Sequence, residues 1–435
     1  MNLLQLSWKN LTNKPLSMTL SLVLFALGVG LISLLLVLNH QLQEKFEKNL
    51  AGIHLVVGAK GSPLQLILSS MYHIDSPTGN ISIQAAKPFL RPGHPIIEKA
   101  VPLSLGDNYR GYRIVGTEPS LLELYQAEVG EGRLWEKTME VVIGATVANE
   151  LGLGLGAAFQ STHGFDRNED LVHEDAEAFV VTGILAPTGS VADQLILTST
   201  QSVWAVHDDH DHGPTAFEEE GEEHEHEQDE AHEHEHEHVA GGYDLSKPLI
   251  EYEDRDITAM LIKFKGHNIQ ALNMQRNINE NTDMQAATPA IEINRLYELM
   301  GTGTKALRWL AIIIIAVSGL SIFISLYSSL QDRRYELALM RVMGASPGTL
   351  FALIILEGLL LAVMGYVLGM ALSHIGMEIL AAQMKDAYRY TFSGSVFLKE
   401  EAYLLAGSLL IGLLAAILPA VQASETEISS TLAEG

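Results

Sequence analysis

The chain has 435 residues, 47% of them apolar, with 53 acidic side chains against 27 basic ones and no cysteine. The missing cysteines exclude structural disulfides, thiolate metal sites and cysteine nucleophiles. A net charge of −26 argues against a nucleic-acid partner, whose phosphates call for clustered Lys and Arg.

The first predicted element is a membrane span. Residues 16–38, LSMTLSLVLFALGVGLISLLLVL, carry no charge, and a bilayer core about 30 Å thick needs roughly 20 apolar residues as helix. The run is longer than the roughly 7–15 apolar residues of a signal peptide, and no small-x-small site follows it, so it predicts an uncleaved anchor. Lys9 and Lys14 place residues 1–15 in the cytoplasm by the positive-inside rule, although Lys45 and Lys48 beyond the span vote the other way.

Residues 39–306 are mostly polar and predict one large domain outside the lipid. Residues 41–50 read as a helical extension of the span. Short β-branched runs at 53–58, 96–101, 112–116, 140–143, 178–182, 194–197 and 258–264 read as strands. Helices are expected over 64–71, over 145–151 with Gly152 as its stop, and over 268–280 and 290–300. This is the pattern of an α+β domain. The run Gly58-Ala59-Lys60-Gly61-Ser62 lacks the spacing of a nucleotide-binding P-loop.

Within that domain, residues 207–238 hold fifteen Asp and Glu, no Lys or Arg, and nine histidines. Those are His207, His210, His212, His224, His226, His232, His234, His236 and His238. Such a composition cannot build a core and predicts a disordered insertion. Imidazoles and carboxylates together suit zinc or a similar divalent ion, bound loosely at many overlapping sites rather than in one closed shell. A solvated insertion with incidental metal affinity, or a pH-responsive one, is the competing reading.

Three further apolar runs follow, at 307–330, 350–377 and 403–421. Trp309 suits the rim of the first as an interface anchor. Ser318, Gly319 and Ser321, and then Gly358, Gly365 and Gly369, suit close helix packing. Between the second and third spans, residues 331–349 carry Arg333, Arg334 and Arg341, which puts this loop in the cytoplasm. Residues 332–345 within it, DRRYELALMRVMGA, predict an amphipathic surface helix stopped by Gly344 and Pro347. Residues 378–402 then form a short outer loop and 422–435 a cytoplasmic tail.

The stretch RRYELALMRVMGASPGTLFALIILEGLLLAVMGYVLG resembles the signature of the FtsX-like permeases, the MacB/LolC/LolE type of ABC-transporter permease in the type VII superfamily. The one-plus-three order of spans is similar to theirs. The closing segment keeps Pro419, Ala420 and Ala423 but is acidic where the family is usually basic. The resemblance implies four transmembrane α-helices, one N-terminal and three C-terminal, around a large α+β MacB-like extracytoplasmic domain in the periplasm of an inner-membrane protein.

The resemblance also implies a role. Arg333, Arg334, Glu336, Arg341, Gly344, Ala345 and Glu357 would couple the chain to a separate cytoplasmic ABC ATPase. The sequence holds no Walker motif, so the chain has no intrinsic cofactor and ATP belongs to that partner. The permease would act as a homodimer or as a heterodimer of paralogues, handling a substrate in the periplasm. The histidines add an alternative, a zinc-related system with a periplasmic carrier protein. A regulatory permease that transports nothing is a further alternative. A membrane enzyme is disfavoured, since no H-E-x-x-H is present.

Overall fold

The computed structural model describes residues 3–12, 15–163, 177–208, 243–266, 269–388 and 392–425. Two compact units divide the chain, one of Met1–Glu44 with Tyr297–Gly435 and the other of Lys45–Leu296. The chain opens with helices α1 (Leu3–Thr12) and α2 (Pro15–Leu50). The outer unit follows with β1 (Leu55–Ala59), α3 (Pro63–Met71), β2 (Ile81–Ser82), α4 (Ile83–Leu90), β3 (Ile97–Tyr109), β4 (Tyr112–Thr117) and α5 (Ser120–Leu124). Next come β5 (Val129–Gly132), β6 (Glu140–Ile143), α6 (Ala145–Leu151), β7 (Ala158–Phe159), β8 (Thr162–His163), β9 (Phe179–Leu185), β10 (Ile196–Ser199) and α7 (Thr200–Asp208). It ends with β11 (Asp256–Ile257), β12 (Ala259–Phe264), α8 (Ile269–Asn281) and β13 (Met284–Ala287). Helices α9 (Pro289–Asp332), α10 (Arg334–Val342), α11 (Pro347–Tyr388) and α12 (Lys399–Ser424) complete the chain.

Strand β3 is the joint of the outer unit. Its first half pairs antiparallel with β12, from Ile97 opposite Phe264 to Leu103 opposite Ala259. Its second half pairs with β4, from Ser104 opposite Gly116 to Tyr109 opposite Tyr112, and the register slips between Leu105 and Asn108. The sheet thus runs β13-β1-β12-β3-β4-β10-β6-β9-β5, with β4 parallel to β10 and β6 parallel to β9. Two cores follow from the two halves. One gathers Leu55, Ile83, Trp204, Ile262 and Ile278; the other gathers Ile114, Val141, Ile143, Phe179 and Ile196. Each fully buried aliphatic or aromatic side chain contributes about 1.5–3 kcal/mol, so each half carries its own hydrophobic drive.

Two titratable side chains brace this unit. The Glu140 carboxylate accepts from Arg133 Nη1 at 2.7 Å and Nη2 at 2.6 Å and from the Glu136 backbone N–H at 2.8 Å. The Arg133 bonds hold its pKa down at about 2. His73, in a left-handed turn at φ 53°, is pulled down to about 3 by burial, with the Arg113 charge adding to the effect.

Four helices among the described residues are long and apolar enough to cross a membrane: Met18–Leu50, Pro289–Asp332, Pro347–Gln383 and Lys399–Ser424. One precedes the mixed α+β unit and three follow it, as the hydropathy predicts. Glycine sets how closely they pack. A Cβ on Gly30 would lie 2.9 Å from the Gly369 carbonyl oxygen, and one on Gly369 would lie 2.8 Å from that of Ala26, which closes the α2–α11 seam. Gly358 and Gly412 do the same for α11 and α12, each Cβ meeting the other's carbonyl oxygen at 2.8 Å. Small residues at such seams let backbones approach and gain dispersion contacts that lipid cannot supply. Ser21 and Ser321 add a hydroxyl–hydroxyl bond of 2.9 Å between α2 and α9.

Two expectations change. The helix over 290–300 and the second span are one 44-residue helix. Gly301 and Gly303 do not interrupt it, since a glycine costs a helix only about 1 kcal/mol. The helix expected over 332–345 is shorter, Arg334–Val342. Arg333 leaves the helical region at φ −107°, ψ 14°, drawn aside by a partner on α11.

Candidate functional site

That partner is Glu357, and with it the helical unit builds a polar node in an apolar bundle. Glu357 is 1% exposed. Arg333 Nη2 donates to both carboxylate oxygens, at 3.1 and 3.3 Å, and Nη1 reaches Oε1 at 3.5 Å. Asn10 Nδ2 on α1 donates to Oε1 at 2.8 Å. A buried carboxylate is tolerable only when paired and hydrogen-bonded, and here the loop, the N-terminal helix and α11 supply the pairing together. Removing Arg333 or Glu357 leaves the other's charge uncompensated, and removing Asn10 takes away a hydrogen bond from the carboxylate.

Helix α10 lies between the node and the start of α11. Its inner face is Leu337, packed against Leu330, Leu350, Ile354 and Ala420, with Ala338 buried next to it in the helix. Arg341, one turn on from Leu337, donates through Nη1 to the Ser424 carbonyl at 3.3 Å, tying α10 to the end of α12. The helix ends where Gly344 takes φ 101°, a left-handed conformation that a side chain would strain. The Ala345 N–H still bonds back to the Met340 carbonyl at 3.0 Å. Pro347 then starts α11, where its missing N–H is no loss.

The opposite face is uncovered. Tyr335, Leu339, Val342 and Met343 fall at i, i+4, i+7 and i+8, and all are exposed, Met343 by 73%. Arg334 and Glu336 flank them and are exposed as well. Of the residues singled out by sequence, the structure joins Arg333 to Glu357. It uses Arg341, Gly344 and Ala345 to fix the end of α10, and leaves Arg334 and Glu336 on the outward side. Sequence reasoning missed Asn10; the only available signal was the leucine spacing of α1, which buries Ser7 and Leu11 beside it.

A second buried carboxylate lies on α12, against the second half of α11. Glu401 is 3% exposed, 3.3 Å from His374 Nε2. It accepts from Ser33 Oγ at 2.8 Å and from the Leu398 N–H at 2.9 Å. The turn after α11 is strapped down beside it. Gln41 Nε2 donates to the Ser393 carbonyl at 2.7 Å and its Oε1 accepts the Ser393 N–H at 2.9 Å, while Glu378 accepts the Gly394 N–H at 2.8 Å. No motif spacing links these residues in the sequence.

Of the candidate metal ligands, only His207 is among the described residues. His210, His212, His224, His226, His232, His234, His236 and His238 lie outside them. His207 Nε2 sits 3.5 Å from Oδ2 of the buried Asp107. Its neighbour Asp208 accepts from Arg255 at 2.5 and 2.8 Å and from the Tyr243 hydroxyl at 2.5 Å. Asp208, at the start of the acidic segment, and Tyr243, just beyond it, are therefore bonded to each other. Among the described residues, no three His, Cys, Asp or Glu side chains come together to hold a metal ion.

Comparison with known families gives two matches. Residues 309–428 match the FtsX-like permease C-terminal family, and residues 18–217 match the MacB-like periplasmic core domain. No curated protein matches the chain.

Proposed function

The chain belongs to the MacB/FtsX permease family, and on that premise we propose that α10 is the surface through which a separate ABC ATPase drives it. It is a multi-pass inner-membrane protein with a large periplasmic domain. Proteins of this family are permease subunits of ABC transporters, are typically non-catalytic, and generally pair with a cytoplasmic ATPase. The observation that carries the finer reading is the two-sidedness of α10. One face is locked into the bundle by Leu337, Ala338 and Arg341; the other offers Tyr335, Leu339, Val342 and Met343 to a partner. Exposed apolar side chains rimmed by charge mark contact surfaces.

Mechanically, a push on α10 reaches three elements at once. Arg333 carries it to Glu357 on α11 and Asn10 on α1, and Arg341 carries it to the end of α12. We read Arg333, Glu357 and Arg341 as positioning residues, and Arg334 and Glu336 as charges on the docking face. The permease is a homodimer or a paralogous heterodimer, and its substrate is handled in the periplasm. The test is co-purification of the full chain with its co-expressed ATPase. Leu339→Asp or Met343→Asp should reduce ATPase retention at least about ten-fold without altering the chain's own thermal unfolding. Unchanged retention would remove α10 from the interface.

The nine histidines of residues 207–238 favour a second reading, periplasmic capture of zinc in support of a metal-handling system with a carrier partner. We expect low-micromolar or tighter zinc binding by calorimetry, abolished when 207–238 are deleted. Equal binding by the deleted chain would discard that reading.

A further inference from the structure

A cleft of about 320 Å³ opens in the outer unit where the turn after β4, the start of α7 and the segment around Leu249 meet. Its volume suits one functional group of a ligand, or a small ligand whole. Most polar groups on its wall are already engaged. Thr117 Oγ1 donates to the Pro102 carbonyl at 2.9 Å, Ser199 shares a 2.7 Å bond with Ser202, and Lys247 Nζ lies 4.4 Å above the Tyr252 ring.

Three groups are not engaged, and they come from different elements. The half-buried Glu118 carboxyl makes no hydrogen bond or ion pair with any described residue, and burial alone pushes its pKa up. The Ser120 hydroxyl oxygen is buried with no partner. Gln201 is 6% exposed, and its side-chain amide has no partner among the described residues. The buried, unpartnered Ser120 hydroxyl costs about 1–3 kcal/mol, and Glu118 and Gln201 line the same cleft with unused acceptors, so the wall is set up for a donor-rich group. Beside them the Trp135 ring forms an apolar wall.

We propose that this cleft binds a primary ammonium group. An ammonium carries three N–H donors and one charge. Glu118 supplies the counter-charge and one acceptor, Ser120 Oγ and Gln201 Oε1 supply the other two, and Trp135 offers its aromatic face to the attached carbon chain. The one lysine on the wall is turned to Tyr252, so it does not neutralise Glu118. A free diamine and a lysine side chain of a peptide present the same chemistry. The site belongs to the outer unit and does not depend on the ATPase reading of α10.

The experiment uses the full chain in nanodiscs, titrated by calorimetry and by tryptophan fluorescence. The probes are 1,5-diaminopentane, an N-acetylated Gly-Lys-Gly amide, and 1,5-pentanediol as the neutral counterpart. Saturable binding of at least one amine is expected, with none for the diol. The fluorescence change should vanish in Trp135→Phe. Glu118→Gln should weaken binding at least about ten-fold, the worth of one lost charge-assisted hydrogen bond. Binding by the diamine alone would assign free amines, and by the peptide alone lysine-bearing peptides. Failure of both amines to saturate, or equal binding of the diol, overturns the proposal on the unmodified protein, whatever the variants do. Unchanged amine affinity in a folded Glu118→Gln chain overturns it as well.

Discussion

Glu357 on α11 and Glu401 on α12 are two near-fully buried carboxylates, and they are held differently. Glu357 faces a guanidinium and an amide arriving from two other segments, a loop and α1. Glu401 faces an imidazole on α11 itself, a serine on α2 and its own helix start. The first node joins three separate elements through one carboxylate and is suited to carrying force between them. The second is chiefly a hydrogen-bonded clasp on the turn after α11. The lesson is that a carboxylate inside an apolar bundle is read by what holds it, not by its presence.

The largest effect should come from breaking the first node on one side. Arg333→Ala leaves the Glu357 charge buried and unpaired, and we expect a loss of about 3–5 kcal/mol in thermal or chemical unfolding of the purified chain. Arg333→Met with Glu357→Met should recover most of that stability yet still uncouple ATPase activity, which separates fold from force transfer. His374→Ala should cost less, about 1–3 kcal/mol, because Ser33 and the Leu398 N–H remain on Glu401. The contrast breaks down if His374→Ala proves as damaging as Arg333→Ala. Gly358→Ala forces a Cβ against Gly412 and Ala416, and overpacking of this kind costs about 1–3 kcal/mol. It should lower stability while leaving ATPase retention unchanged, since it lies away from the exposed face of α10.

The last effect is expected in the outer unit and is absent at neutral pH, appearing only as pH falls. An unfolded imidazole takes its proton near 6.5, whereas His73 in the fold does so only at about 3. Its stabilising contribution is therefore complete above pH 6.5 and is lost as pH falls toward 3. Glu140 ionises at about 2 in the fold against 4.5 otherwise, so its contribution is complete above pH 4.5 and is lost as pH falls toward 2. His73→Asn should flatten the upper part of the acid limb and Glu140→Gln the lower part, read by circular dichroism against pH. An acid limb unchanged in both variants would show that other groups govern it.

Much of the fold is legible in the sequence because its signals are local. The four apolar runs announce themselves by length, Glu140–Ile143 by its β-branched run, and Ala145–Leu151 by the glycine that stops it at φ 63°. What was hidden is what depends on distant pairing. Met284–Ala287 reads MQAA, with no strand propensity, and is a strand only because β1 lies beside it. Ile83–Leu90 contains Pro88, which disguises an eight-residue helix; its one signal was Ser82, whose hydroxyl caps the Ala85 N–H at 3.2 Å. The coupling loop was visible as charge and amphipathicity. The partner of Arg333 was not, because Glu357 and Asn10 come from opposite ends of the sequence. His374 and Glu401 are joined only by the packing of α11 on α12.

The central claim is that α10 faces the cytoplasm and meets an ATPase, and one measurement addresses both parts. The chain has no cysteine, so Met343→Cys gives a single thiol at the most exposed apolar position of that region. Labelling with a membrane-impermeant maleimide, with and without the co-expressed ATPase, reports side and contact together. We expect reaction in inside-out vesicles but not in intact spheroplasts, and protection or cross-linking when the ATPase is present. Labelling of Met343→Cys from the outside of spheroplasts would contradict both.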